Sequence, residues 1–162
     1  DIGDKVDLIL DGGACSVGLE STIVKVENEE VTLLREGGVA SEALEAFLDR
    51  PLMRTINEPE IEAPGQMLAH YAPSLPLRLN AGELCNGEAL LAFGEPMTDD
   101  DSICLNLSPL ANLEEAAHNL FAMMQTLDKS GASGIAVMPI PNHGLGTAIN
   151  DRLKRAAQGK DK

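Results

Sequence analysis

Prolines are concentrated in one stretch of the chain, and this stretch divides the sequence. Five of the nine prolines fall between residues 51 and 76. Proline fixes φ and has no backbone N–H, so a stretch this rich in proline suits neither a helix interior nor a central strand. Its apolar residues also follow no period of 2 or about 3.6 residues. We therefore predict an extended linker over 51–76, with a short segment, 1–50, before it and a longer one, 77–162, after it.

The segment before the linker is predicted to form part of a sheet with one helix. Residues 6–10 (VDLIL) are an apolar run typical of a buried strand. Residues 21–26 and 31–34 are rich in β-branched side chains and are separated by four polar residues, which indicates a hairpin. A helix is predicted over 41–48, with Ser41 as its N-cap. These elements make about half of a domain, so the segment is interpreted as a piece of a longer protein.

The segment after the linker alternates strands with helices. Apolar runs predict strands at residues 89–93, 103–107 and 134–138. Apolar residues at helical spacing predict helices at residues 113–130 and 146–157. Such alternation favours a small parallel or mixed sheet covered by helices, so the predicted fold class is α/β. Arg152, Lys154 and Arg155 fall near the end of the last helix, where the helix dipole favours cations.

Composition argues against several classes of protein. Twelve basic against 26 acidic residues give a net charge of −14, and a field of that sign repels nucleic-acid phosphates. Three Phe, one Tyr and no Trp leave few rings on which bases could stack. Three cysteines without CxxC spacing indicate neither disulfides nor a zinc site and favour the reducing cytoplasm. The apolar runs are too short to span a membrane, and no secretory leader is expected.

Ser21 and Arg35 are the first candidate site residues. The predicted hairpin brings them to the same end of neighbouring strands. A hydroxyl and a planar guanidinium there could bind a carboxylate or a phosphate. On physical grounds alone, the same two side chains fit better as a surface serine that caps a turn and an arginine in an ordinary ion pair.

Two further stretches leave similar alternatives open. His70 and Tyr71 lie in the linker, where Tyr71 either packs the linker on a domain or closes as a lid over a nucleotide. Residues 142–146 (NHGLG) precede the last helix, and backbone amides at such a position attract anions. They also fit a plain connection between a strand and a helix.

Five motifs, taken in order, resemble the two-domain form of threonylcarbamoyl-AMP synthase, in which a linker joins a YrdC-like catalytic domain to a smaller α/β domain. They are DLILDGG at 7–13, GLESTIV at 18–24, LLREGG at 33–38, APG-x4-HYAP at 63–73 and GLGTAINDRLKRAA at 144–157. The resemblance covers nearly the whole chain but only the last third of the catalytic domain. It implies a C-terminal remnant of the YrdC-like domain over 1–50, an interdomain linker over 51–76 and a Rossmann-like α/β domain over 77–162.

The resemblance also implies an activity. Members of the family combine L-threonine, bicarbonate and ATP, with Mg²⁺, into threonylcarbamoyl-AMP and pyrophosphate. A threonylcarbamoyl-transferase complex then modifies an adenosine of tRNA, so tRNA is only an indirect partner. Carried over by position, Ser21 would bind L-threonine, Arg35 would bind ATP, and Tyr71 would close over the nucleotide. No catalytic residue or metal ligand is assigned.

The sequence departs from the family pattern in three places. Glu36 replaces the proline usual after the arginine, which could loosen the turn or pair locally with Arg35. Residues 66–69 lack the basic and aromatic side chains often found there. The basic and Ser-x-Asn segments of the family's N-terminal half are missing, so this chain alone is expected to be inactive.

Two other functions compete with this interpretation. Residues 77–162 could form a non-catalytic module that binds a small molecule or has a regulatory role. RNA binding, sometimes attributed to YrdC-like domains, is a third hypothesis, and the net charge of −14 argues against it.

Overall fold

The computed structural model describes residues 5–13, 15–54, 72–97 and 103–158. The elements in chain order are β1 (Ile23–Glu27), β2 (Glu30–Arg35), α1 (Ser41–Leu48), β3 (Met53–Arg54), β4 (Leu77–Arg78), β5 (Glu88–Ala92), β6 (Cys104–Asn106), α2 (Leu113–Asp128), β7 (Gly134–Val137) and α3 (Leu145–Gln158). They form a three-stranded sheet, β1-β2-β3, and a four-stranded sheet, β4-β7-β5-β6.

The predicted hairpin is confirmed as β1 and β2, which pair antiparallel. Asn28 and Glu29 make the two-residue turn, and both have positive φ, as a type I′ turn requires. β1 lies at the edge of this sheet, and its Val24 and Val26 are exposed. Apolar side chains of β2, α1 and the chain before β3 form a small core beneath the sheet.

Residues 51–54, which the proline pattern assigned to the linker, include a strand. β3 pairs parallel to β2 through Met53 and Arg54. Pro51 precedes this strand by two residues, so its missing N–H and fixed φ do not interrupt the pairing. Residues 55–71 lie outside the described residues, and the division of the chain into domains stays a prediction.

Two predictions in the first segment are wrong. Residues 6–10 form no strand, and Leu8 and Leu10 are 75% and 87% exposed, because no described strand lies beside them. Helix α1 has the predicted span, but Ser41 is its first residue and Ala40 occupies the N-cap without a side-chain hydrogen bond. The Ser41 hydroxyl is buried and accepts a hydrogen bond from Arg54 instead.

The second sheet confirms the predicted α/β class, since all four of its strands are parallel. The helices cover one face, where Leu91 and Val137 of the sheet join Leu120 of α2 and Ile149 of α3 in one buried cluster. Leu90 belongs to a second buried cluster on the opposite face. Both faces of β5 are therefore buried, as expected for a continuous apolar run in a parallel sheet.

Helix α2 begins with a variant of the capping box. The Asn112 side chain accepts hydrogen bonds from the amides of Glu114 and Glu115. The Glu115 carboxylate accepts from the Ser108 hydroxyl, and that hydroxyl in turn accepts from the Asn112 amide. The buried Ser108 therefore relays the contact that Glu115 would otherwise make directly with the backbone of Asn112.

An ion pair joins two strands of the parallel sheet that are not neighbours. Arg78 of β4 donates to both carboxylate oxygens of Glu88 in β5, at 2.9 and 2.6 Å, and to the Glu83 carbonyl oxygen at 2.9 Å. These bonds lower the pKa of Glu88 to about 2.

Among the helices of the described residues, none is long and apolar enough to cross a membrane.

Candidate functional site

The structure brings Ser21 and Arg35 together, as the hairpin predicted. Arg35 ends β2, opposite Ile23 of β1, and Ser21 lies two residues before Ile23. The Arg35 Nε and Nη2 atoms donate to the Ser21 carbonyl oxygen at 3.1 and 2.8 Å, and Nη2 lies 3.3 Å from the Ser21 hydroxyl oxygen. Arg35 is buried, whereas Ser21 is exposed. The Arg35 guanidinium, which these hydrogen bonds hold in place, thus lies next to the accessible hydroxyl of Ser21.

Gly37 allows the chain after β2 to cross closely over the chain before β1. The Gly38 amide donates to the Glu20 carbonyl oxygen at 2.8 Å. A Cβ atom on Gly37 would lie 2.4 Å from backbone atoms of Glu20, Ser21 and Thr22, which no side chain can do without moving the backbone. The Thr22 hydroxyl closes the crossing by exchanging hydrogen bonds with the backbone of Val39.

Glu36, which replaces the family proline, has a partner outside the Ser21–Arg35 pair. Its carboxylate accepts from Nη1 of Arg54 in β3 at 2.7 Å. The Nη2 atom of Arg54 donates to the Ser41 hydroxyl at 3.0 Å. The substitution therefore links the end of β2 to β3 and to the start of α1.

Arg152 of α3 binds the residues on the two flanks of the Ser21–Arg35 pair. Its Nε donates to the Glu20 carboxylate at 2.9 Å, and its Nη2 donates to the Glu36 carbonyl oxygen at 2.9 Å. Its Nη1 donates to Asp151. The Arg152 side chain is 1% exposed.

The burial of Arg152 is not predicted by its place near the end of the last helix, which indicates only a favourable interaction of its charge with the helix dipole. A signal for burial was available, because Arg152 lies three residues after Ile149 and four before Ala156, on the apolar face of α3. Both neighbours on this face are buried.

The residues before the last helix bind an anion that belongs to the chain itself. The Gly144 amide donates to the Glu42 carboxylate at 3.0 Å. The amides of Glu42 itself and of Gly144 hold the pKa of Glu42 below its ordinary value. This contact joins the first turn of α1 to the start of α3.

Further contacts attach the turn before β1 to α2. Nδ1 of His118 lies 3.0 Å from the Cys15 carbonyl oxygen, and Leu19 packs on the buried cluster of the second sheet. Gly18 has φ of 74°, and a Cβ atom there would lie 2.5 Å from Cα of His118. Cys15 itself is exposed.

The remaining predicted residues are not part of this geometry. His70 and Tyr71 lie outside the described residues. Among the residues that the structure does describe, no group of three His, Cys, Asp or Glu side chains is arranged to hold a metal ion.

A cavity of about 210 Å³ lies at the carboxyl ends of β4 and β7. Parallel α/β sheets commonly hold ligands at this edge. Asn80, Asn142, Asn150 and Lys154 contribute polar groups to its wall. The Asn150 amide already donates to the Ile140 carbonyl oxygen. The alternative hypothesis of a small-molecule module would place its ligand here.

The fold and the site together define an α/β domain that holds a hairpin with a buried arginine and an exposed serine. The family profile described as threonylcarbamoyl-AMP synthase, C-terminal domain, matches residues 39–158, and the chain belongs to this family. A second profile, of the Sua5, YciO and YrdC family and described as telomere recombination, matches residues 1–37.

Curated relatives carry the name threonylcarbamoyl-AMP synthase. The proteins of Pyrococcus abyssi and Bacillus subtilis are each 28% identical to this chain, over 97% and 99% of it and 51% of their own length. The Schizosaccharomyces pombe protein is 27% identical over 97% of the chain and 46% of its own length. The chain thus spans about half the length of the curated relatives it matches.

Solved structures show the same fold. A crystal structure of Pyrococcus abyssi Sua5 complexed with L-threonine superposes with a TM-score of 0.80 at 26% identity, over 99% of this chain and 52% of that one. A structure of a double variant of the same protein superposes with a TM-score of 0.69 at 24% identity, over 96% of this chain and 48% of that one.

Proposed function

We propose that this chain is the C-terminal part of an L-threonylcarbamoyladenylate synthase, which converts ATP, L-threonine and bicarbonate into threonylcarbamoyl-AMP and pyrophosphate for tRNA modification. The observation that carries this proposal is the order of the two family matches, with the Sua5, YciO and YrdC profile at residues 1–37 followed by the profile of the synthase C-terminal domain at 39–158. The chain acts in the cytoplasm. A threonylcarbamoyl-transferase complex receives the product.

The Ser21–Arg35 pair supplies the chemistry that two of these substrates need. The exposed Ser21 hydroxyl donates to the carboxylate of L-threonine, and the Arg35 guanidinium offers charge-assisted hydrogen bonds to a phosphate of ATP. The contacts of Arg35 with Ser21 support this assignment, because they hold both groups at one end of the hairpin. Tyr71 closes over the nucleotide. Mg²⁺ accompanies ATP, and no described residue of this chain is assigned to it.

A direct test compares this chain with the complete enzyme. Release of pyrophosphate that depends on L-threonine should occur with the complete enzyme and should be undetectable with the 162-residue chain, since phosphate positioning requires groups from the family's N-terminal half. Coupled pyrophosphate detection with and without threonine measures both. A complete enzyme that hydrolyses ATP equally with and without threonine would contradict the proposed function.

Variants of the complete enzyme test the site residues separately. Ser21→Ala should raise the KM for threonine about tenfold, as loss of one hydrogen bond to a charged group predicts, whereas Ser16→Ala, in the exposed chain nearby, should not.

Tyr71→Ala should weaken ATP binding by about 1–3 kcal/mol through loss of ring stacking, and Tyr71→Phe by about 1 kcal/mol. If Tyr71→Ala lowers only the melting temperature, Tyr71 packs the linker and is not a lid.

A further inference from the structure

We infer that Arg152 is a positioning residue for the Ser21–Arg35 site, so that the C-terminal domain acts in substrate binding without touching a substrate. The inference rests on the proposed function, which assigns threonine and ATP to Ser21 and Arg35. Its basis is the placement of the Arg152 contacts. The two hairpin residues that Arg152 binds, Glu20 and Glu36, are the immediate chain neighbours of Ser21 and Arg35.

One guanidinium therefore fixes both halves of the pair. The Nε atom binds the side chain that precedes Ser21, and the Nη2 atom binds the carbonyl group that follows Arg35. A guanidinium is planar and presents its donors in a fixed fork. The positions of its two partners are consequently restrained by one rigid group, and these partners are the residues adjacent to Ser21 and Arg35.

Because the Arg152 side chain is buried, its hydrogen-bond donors need partners within the protein. The Arg152 side chain is 1% exposed, while Glu20 and Asp151 are 29% and 28% exposed. A buried cation is strongly unfavourable unless its donors are paired, so displacement of Glu20 would remove one of its two carboxylate partners. Displacement of the Glu36 carbonyl group would leave a buried donor unsatisfied. Asp151 is itself held by Arg155, whose Nε donates to both of its carboxylate oxygens.

The two flanks are also bonded to each other. The Gly38 amide donates to the Glu20 carbonyl oxygen, and the close crossing at Gly37 leaves no space between the two chain segments. Movement at Glu20 is therefore transmitted to the chain after β2. The site shifts as one unit when its support on α3 is lost.

The test uses three variants, each in the 162-residue chain and in the complete enzyme. Arg152→Met removes the charge and the donors at similar length, and Arg152→Lys restores the charge without the fork. Arg78→Met is the control, because Arg78 also binds a carboxylate and a backbone carbonyl, those of Glu88 and Glu83, and both partners lie outside the hairpin.

The expected results separate positioning from general stability. In the 162-residue chain, Arg152→Met should speed hydrogen exchange over residues 18–22 and 36–39 about tenfold, while peptides from β5 and β7 keep their protection. In the complete enzyme it should raise the KM for threonine roughly 10-fold to 100-fold, since small misplacements of binding groups have effects of this size. Arg152→Lys should restore part of the protection from exchange and part of the rise in the threonine KM should disappear, whereas Arg78→Met should change neither quantity.

Three outcomes would overturn the inference. Unchanged exchange over 18–22 in Arg152→Met removes the physical basis for positioning. If Ser21→Ala raises the KM for threonine and Arg152→Met leaves it unchanged, the substrate site does not need the support of Arg152. An equal rise in KM for Arg78→Met and Arg152→Met shows only a stability effect. If Ser21→Ala itself leaves the threonine KM unchanged, the proposed function of the site fails instead, and the exchange result still decides whether Arg152 holds the hairpin.

Discussion

Replacing Gly37 by alanine should destabilise the chain by about 2–3 kcal/mol, as expected for a group forced into closely packed structure. The added Cβ would lie 2.4 Å from backbone atoms of Glu20, Ser21 and Thr22, so the two crossing segments must separate. Separation breaks the bond between the Gly38 amide and the Glu20 carbonyl oxygen, and it pulls Arg35 away from Ser21. Urea unfolding of the 162-residue chain measures the change in the free energy of unfolding.

Gly38→Ala is the matched control for this substitution. A Cβ on Gly38 would approach the Val17 side chain at 3.1 Å, and that side chain can rotate, whereas the nearest backbone atom is 3.7 Å away. We expect this neighbouring variant to lose less than about 1 kcal/mol, as for an ordinary site away from the core. Equal losses in the two variants would show that the close crossing at Gly37 is not the cause.

Replacing Leu120 by alanine should cost about 2–5 kcal/mol, the range for truncation of a buried leucine. Leu120 lies in the centre of α2 and is fully buried in the cluster between the helices and the parallel sheet. The substitution removes three carbon atoms and leaves a cavity that rigid neighbours fill only partly. The measurement is again the free energy of unfolding in urea.

Leu110→Ala provides the comparison, because Leu110 precedes the same helix and is 89% exposed. Its truncation should change the free energy of unfolding by no more than about 0.5 kcal/mol. Similar values for Leu110→Ala and Leu120→Ala would contradict the packing described for α2.

The parts of the fold that were predicted correctly are those with a strong local signal. The hairpin follows from two β-branched runs around a short polar turn, and α2 follows from apolar residues at helical spacing after Asn112. β3 and β4 were missed because each has only two residues, too few to show a period. Residues 6–10 have the composition of a strand, yet a strand also requires a neighbour to pair with, and composition cannot supply that information.

The proximity of Ser21 and Arg35 in the hairpin could be predicted from the sequence, whereas the contacts of Arg152 that support them could not. Ser21 and Arg35 share one end of a local hairpin, so their proximity follows from the register. Glu20 and Arg152 are separated by 132 residues, and no spacing rule connects them. The helical spacing places Arg152 on the apolar face of α3, but only the packing of α3 against the hairpin end shows which residues this arginine binds.

The position of β1 has a consequence for how the isolated chain behaves in solution. Its outer edge faces away from β2, with Val24 and Val26 exposed and the apolar residues Leu8 and Leu10 also uncovered. Unpaired strand edges with apolar side chains promote intermolecular β-pairing and aggregation. Lys25 and Glu27 are the charged residues of this strand and oppose such pairing, although their charges offset each other at 3.3 Å. Preparations of the 162-residue chain should therefore become less soluble at high salt, where the repulsion that its net charge of −14 provides is screened.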